Sequence, residues 1–159
     1  MTTIELSSAT ALALLAAGIF LIMGLFTGLW KYFEMMKSER ARAPYYVDIA
    51  HRAALLYANC SLILAVLAHF SQWSDLINFW AVLLNVVYFA LAIGLYALHG
   101  FLKDTDNQLR KPHRLGPMTL PTILVHLAIF SLVVAEIGGT LVLFFGAFKP
   151  LYQIMVSIL

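Results

Sequence analysis

The sequence is short of charge, and that shortage decides its class. Only 11% of the 159 residues are charged and 62% are hydrophobic, against about a quarter charged in ordinary soluble domains. With a mean hydropathy of +0.89, too few polar side chains are left to clothe a water-facing surface. That excludes a soluble globular enzyme, a disordered tail and a nucleic-acid binder. The net charge of +2 comes from basic residues gathered between apolar runs, and no face could track phosphates. A single cysteine, Cys60, rules out a disulfide framework and every multi-cysteine metal site within one chain. A P-loop, an HExxH and a nucleophile elbow are also missing, so nothing supports a nucleotidase or a hydrolase. The opening residues carry Glu5 and no basic stretch, and the apolar run after them is too long for a secretory leader.

What the chain has is four apolar stretches, near residues 8–30, 49–70, 76–101 and 120–147. Each can cross a hydrocarbon core of roughly 30 Å at 1.5 Å per residue. In lipid no backbone group can stay unpaired, and alternating strand patterns are absent, so the spans are expected to be helices. The expectation is an all-α integral membrane protein, a four-helix up-down bundle occupying residues 1–159 as one transmembrane domain. Lys31, Lys37, Arg40, Arg42 and Arg52 flank the first long connection, and Lys103, Arg110, Lys111 and Arg114 fill the second. The short turn at 71–75 has no basic residue. By the positive-inside rule both long loops face the cytoplasm and both termini lie outside, in a cell's inner (plasma) membrane. The segment 149–159, too short to cross again, is expected to lie along the outer interface or against a neighbouring subunit. Gly24 and Gly28 form a GxxxG, and Gly138, Gly139 and Gly146 punctuate the fourth span. Such residues let helices approach closely, within one chain or between subunits.

In so apolar a chain the informative residues are the polar ones at membrane depth. Counting from the ends of the spans puts Asn59, Asn85, Tyr88 and Glu136 near the midplane, with His51, His99 and His126 in one half. His51 and Asn59 are eight apart and share a helix face, whereas Tyr57 is displaced; Asn85 and Tyr88, three apart, also share a face. One interhelical cavity lined by His51, Asn59, Asn85, Tyr88 and Glu136 is consistent with this. So are plainer roles: His51-Arg52 snorkelling to headgroups, asparagines as hydrogen-bonded glue, tyrosines as packing aromatics. Glu136 must be protonated, paired or beside a wet cavity. In the second loop, His113 and the Asp104-Thr105-Asp106 run read as solvated, the latter as a locally hydrogen-bonded turn.

Two segments resemble a small family of four-helix membrane isomerases, the styrene oxide isomerase and hydroxylaminobenzene mutase group. One is Gly18-Ile-Phe-Leu-Ile-Met-Gly-Leu-Phe-Thr-Gly-Leu-Trp30, similar to that family's glycine-punctuated opening helix. The other is Ala50-His51, opening the second span as the family's Ala-His does. Asn85-Val86-Val87-Tyr88-Phe89 is a weaker echo. The resemblance implies haem b with His51 as the iron ligand. It also implies a ferric Lewis acid acting on an epoxide or hydroxylamine-type substrate without net redox change, and a homotrimer among membrane lipid. Tyr57, Asn59, Asn85 and Tyr88 are then the candidate hydrogen-bond partners of the substrate oxygen. The chain departs from the pattern at Tyr57, where the family has asparagine, at Phe89, where it has tyrosine, and at Arg52. A haem-binding or structural subunit without catalysis, with His99 or His126 as a second ligand, is the competing reading. A small transporter or proton channel built on Glu136 and the histidines is a third.

Overall fold

The computed structural model describes residues 6–157. Four helices dominate it: α1 (Ser8–Met36), α2 (Tyr45–Phe70), α3 (Asp75–Leu102) and α4 (Thr122–Val156). All four are long and apolar enough to cross a membrane. The protein is an all-α, multi-pass membrane bundle, and the helices alternate in direction along the chain. The one two-stranded piece is a minimal hairpin in the α3–α4 loop, Arg114–Leu115 against Met118–Thr119, turning at Gly116 with φ +58°.

Small residues at helical spacing decide how these helices meet. Ala50, Ala54, Ala58, Ser61, Ala65 and Ala68 make a buried stripe along α2. Ala9, Ala13, Ala16, Phe20 and Gly24 make the matching one on α1. Lipid tails are as apolar as leucine, so backbones must come close for dispersion to hold them together, and alanine and glycine allow it. α2 and α3 form the centre, and α1 and α4 each pack on both from opposite sides. Phe20 of α1 reaches Phe89 of α3 edge-on, with ring centroids 6.5 Å apart.

The fourth helix departs from expectation. It does not end near residue 147 with a separate segment after it; it runs unbroken to Val156, with Pro150 inside it. A proline lacks the N–H that would bond the carbonyl four residues back, here that of Gly146. That carbonyl instead accepts the Gln72 N–H at 3.1 Å. One turn earlier, the Val142 carbonyl accepts the Trp73 indole N–H at 2.8 Å. The α2–α3 turn thus satisfies the group the proline frees, and the helix continues. The last two residues of the expected tail lie outside the described residues.

Candidate functional site

His51 opens the face of α2 that turns toward α1. Its Nδ1 lies 2.9 Å from the Gly24 carbonyl oxygen. A carbonyl can only accept, so Nδ1 carries the proton and the lone pair sits on Nε2. Nε2 has no partner among the described residues. Gly28, one turn on from Gly24, makes room for the ring: a Cβ there would stand 2.9 Å from Cε1 and 3.0 Å from Nδ1. The GxxxG of α1 is therefore a seat for an imidazole, one glycine supplying the acceptor and the other the space. Arg52 turns away from this seat to Asp48 (2.9 Å), which also holds Lys31 of α1 at 2.6 Å. That pair of ion contacts ties the α1–α2 ends beside the histidine.

The other residues expected at a shared cavity are not gathered around His51. Asn59, eight residues on, is exposed and donates to the Leu55 carbonyl of its own helix at 3.0 Å. Tyr57 points inward and stacks on Phe89, with centroids 4.2 Å apart and planes at 15°. Asn85 is fully buried between α3 and α4; its amide donates to the Ala81 carbonyl at 2.9 Å and its oxygen accepts from the Thr140 hydroxyl at 3.2 Å. It is interhelical glue. Tyr88 lines a groove between α3 and α4, on the opposite side of the α2–α3 pair from α1. Glu136 of α4 has a buried Oε1 without a partner among the described residues. The single cavity lined by all five residues does not form within one chain, because azimuth along each helix says nothing about which neighbour that azimuth meets.

Two readings of the second loop are corrected. His113 is only 4% exposed rather than solvated, and its Nδ1 meets the Gln108 carbonyl at 3.3 Å. The Asp104-Thr105-Asp106 run is a solvated, locally bonded turn at Thr105, which bonds Asn107, and at the exposed Asp106, but Asp104 itself forms a clasp. One oxygen meets His99 Nδ1 at 2.8 Å, and the other accepts the Gly116 N–H at 2.6 Å. Tyr46 stands against His99 with centroids 5.0 Å apart, and its hydroxyl accepts the Gln108 N–H at 2.6 Å. The Tyr46–Gln108 link joins residues 62 apart and has no local signature, whereas the His99–Asp104 and Gln108–His113 links join residues five apart.

Burial by itself would raise the Asp104 carboxyl, but the Gly116 N–H and His99 together outweigh it and hold the group below its ordinary value. Because the folded state favours the carboxylate, the clasp contributes stability above the unfolded value of about 3.9. That contribution is lost as pH falls through the lower folded value. Protection factors over 103–121, exchange corrected for its intrinsic pH dependence, should therefore be high and level from pH 7 to 5 and fall in acid below about pH 4. In Asp104→Asn they should be low already at neutral pH. Unchanged protection in that variant would show the loop to be held by other means.

No cluster of three or more histidine, cysteine or acidic side chains able to hold a metal ion occurs among the described residues. A haem needs less, namely one imidazole with its lone pair free and its far nitrogen anchored, and His51 meets that requirement. The fold and this seat define a class: a four-helix multi-pass membrane protein with a histidine anchored between its first two helices. No protein-family model, curated protein or solved structure matches the chain.

Proposed function

We propose that the protein is a membrane-embedded, histidine-ligated haem protein of isomerase type, acting on a small apolar substrate of the epoxide or hydroxylamine kind. One observation carries the reading: His51 is anchored through Nδ1 to the Gly24 carbonyl, which leaves the Nε2 lone pair free. A carbonyl behind a ligating imidazole fixes its tautomer and raises its basicity, the usual support of a ligand histidine. Bound there, a ferric haem would supply a Lewis acid for a substrate oxygen. The chain's own part is to hold the imidazole at a fixed depth and in one tautomer against α1. Asn59, on the same face, is the polar side chain that could orient a bound substrate. Tyr57, Asn85 and Tyr88 serve packing and the far side of the bundle.

We further propose that the two basic-rich loops face the cytoplasm, as their lysines and arginines favour. Asn59 exposes an amide on an apolar face, which suits a homo-oligomer, a trimer by the resemblance, in which that face is covered. A second histidine opposite His51 within one chain has no support: His99 is committed to Asp104, and His126 sits on α4, on the other side of the bundle. The test is the absorption spectrum of detergent-purified protein from haem-supplied cells, oxidised and reduced. A Soret band is expected in the native chain and none in His51→Ala. A band that survives in that variant, or a native protein without one, overturns the haem assignment.

A further inference from the structure

The first half of α4 is bound to the bundle differently from the second. Every buried residue of α4 lies at Ala135 or beyond, where Gly139 lets the backbone close on Ala81 and Asn85. From Thr122 to Val134 none is buried. The helices part toward the loop, leaving a groove of about 300 Å³ between them, at the lower end of the roughly 300–1,000 Å³ usual for small-molecule sites. It follows α3 from Tyr88 to His99, roughly 16 Å at 1.5 Å per residue. Its walls are apolar along that length, with Leu91, Leu95, Leu124, Ala128 and Leu132 among them. Its loop end is polar: Arg114 and Gln108 close it.

We propose that this groove binds a single-chain carboxylate, a free fatty acid, with its carboxylate on Arg114 and its tail running inward to Tyr88 and Leu132. Three features select that occupant. The groove is narrow and apolar over the length of one medium acyl chain, so a two-chain phospholipid does not fit. Among the lining residues Arg114 is the only lysine or arginine, and it makes no ion pair among the described residues. Its planar fork matches a carboxylate with two parallel hydrogen bonds. Gln108 also lines that end. The His99–Asp104–Gly116 clasp and the Tyr46–Gln108 bond fix the loop that carries both groups. The site lies across the α2–α3 pair from His51, and neither site depends on the other.

The probe is dodecanoate with a photoreactive diazirine at its tail, added to the full chain in phosphatidylcholine nanodiscs. Crosslinks should map to Tyr88–Ala92 and Ile129–Leu132 and be competed by excess dodecanoate but not by dodecanol. Arg114→Gln should lower labelling roughly tenfold, the scale of a lost charge-assisted pair, and Arg114→Lys should restore part of it. Ala128→Trp, which fills the groove from a surface position, should end labelling while helicity is unchanged. Labelling spread evenly over outward residues such as Ile123 and Phe130 would overturn the proposal. So would survival of the signal in Ala128→Trp, or competition by dodecanol or lysophosphatidylcholine as effective as by dodecanoate. The readout contains no haem signal, so its failure leaves the His51 reading standing, and the reverse.

Discussion

On the proposed haem ligation by His51, Gly28→Leu should remove haem absorbance nearly as completely as His51→Ala, while Gly18→Leu, ten residues away on the same helix, should leave it intact. The difference lies in what a side chain would meet. A Cβ at Gly28 would stand 2.9 Å from Cε1 and 3.0 Å from Nδ1 of His51, whereas one at Gly18 would have nothing within 4 Å. Carbon atoms do not approach to 2.9 Å, so the imidazole must leave, and it cannot leave without breaking its 2.9 Å bond to Gly24. Freed of that anchor, the ring loses its fixed tautomer and its fixed depth together. Disturbing the outer partner of a metal ligand typically costs roughly 10–100-fold in affinity. Gly28→Ala should fall near the lower figure and Gly28→Leu beyond the upper. Haem titration of each variant, with far-ultraviolet circular dichroism confirming that the bundle is intact, measures the effect. A Gly28→Leu protein that binds haem as the native chain does would mean that the seat on α1 has no part in ligation.

Apolar length makes all four helices legible in the sequence, because a span needs about 20 residues and little else of that length can exist in lipid. The charge pattern marks the loops for the same reason. Partnership between helices is not legible. Ala50, Ala54 and Ala58 announce a close-packed face, yet nothing in their spacing says that the face meets α1 rather than α4. For that reason His51 and Asn85, both polar and both at depth, read as one cavity when they stand on opposite sides of α2 and α3. The length of the fourth helix is not legible either. Pro150 frees the Gly146 carbonyl, and the distant Gln72 N–H, 74 residues before Gly146, supplies its partner. The GxxxG of α1 shows how one motif carries two meanings: close approach is written in the glycines, but what approaches is a histidine ring as well as a helix. Asp104 and His113 look solvated because the loop folds back on itself, Asp104 onto His99 and Gly116 and His113 onto Gln108, which Tyr46 holds in turn.

The second large effect is expected at neighbouring glycines of α4. Gly139→Val should strongly destabilise the bundle, and Gly138→Val should not. A Cβ at Gly139 would lie 2.7 Å from the Ala81 carbonyl oxygen and 2.5 Å from the Asn85 amide nitrogen, while one at Gly138 meets nothing within 4 Å. Ala81 offers backbone, which cannot swing aside as a side chain can, so the two helices must separate. Separation also pulls Thr140 from Asn85, now bonded at 3.2 Å, and leaves a fully buried amide half satisfied in a medium with no water to replace the partner. Overpacking alone costs about 1–3 kcal/mol, and interhelical hydrogen bonds in membranes add about 0.6–2 kcal/mol. At about 2–4 °C per kcal/mol for a chain of this size, Gly139→Val should lose several degrees or more in Tm. Asn85→Leu with Gly139 intact removes both polar partners of Thr140 and Ala81 without forcing the helices apart, so its loss should be smaller. Thermal melts in one detergent rank the three variants. Equal melting of the Gly138 and Gly139 variants would mean that α4 is not held against α3 by this contact. The α3–α4 groove, which opens because α4 closes on α3 only from Ala135 onward, would then lose the contact that shapes it.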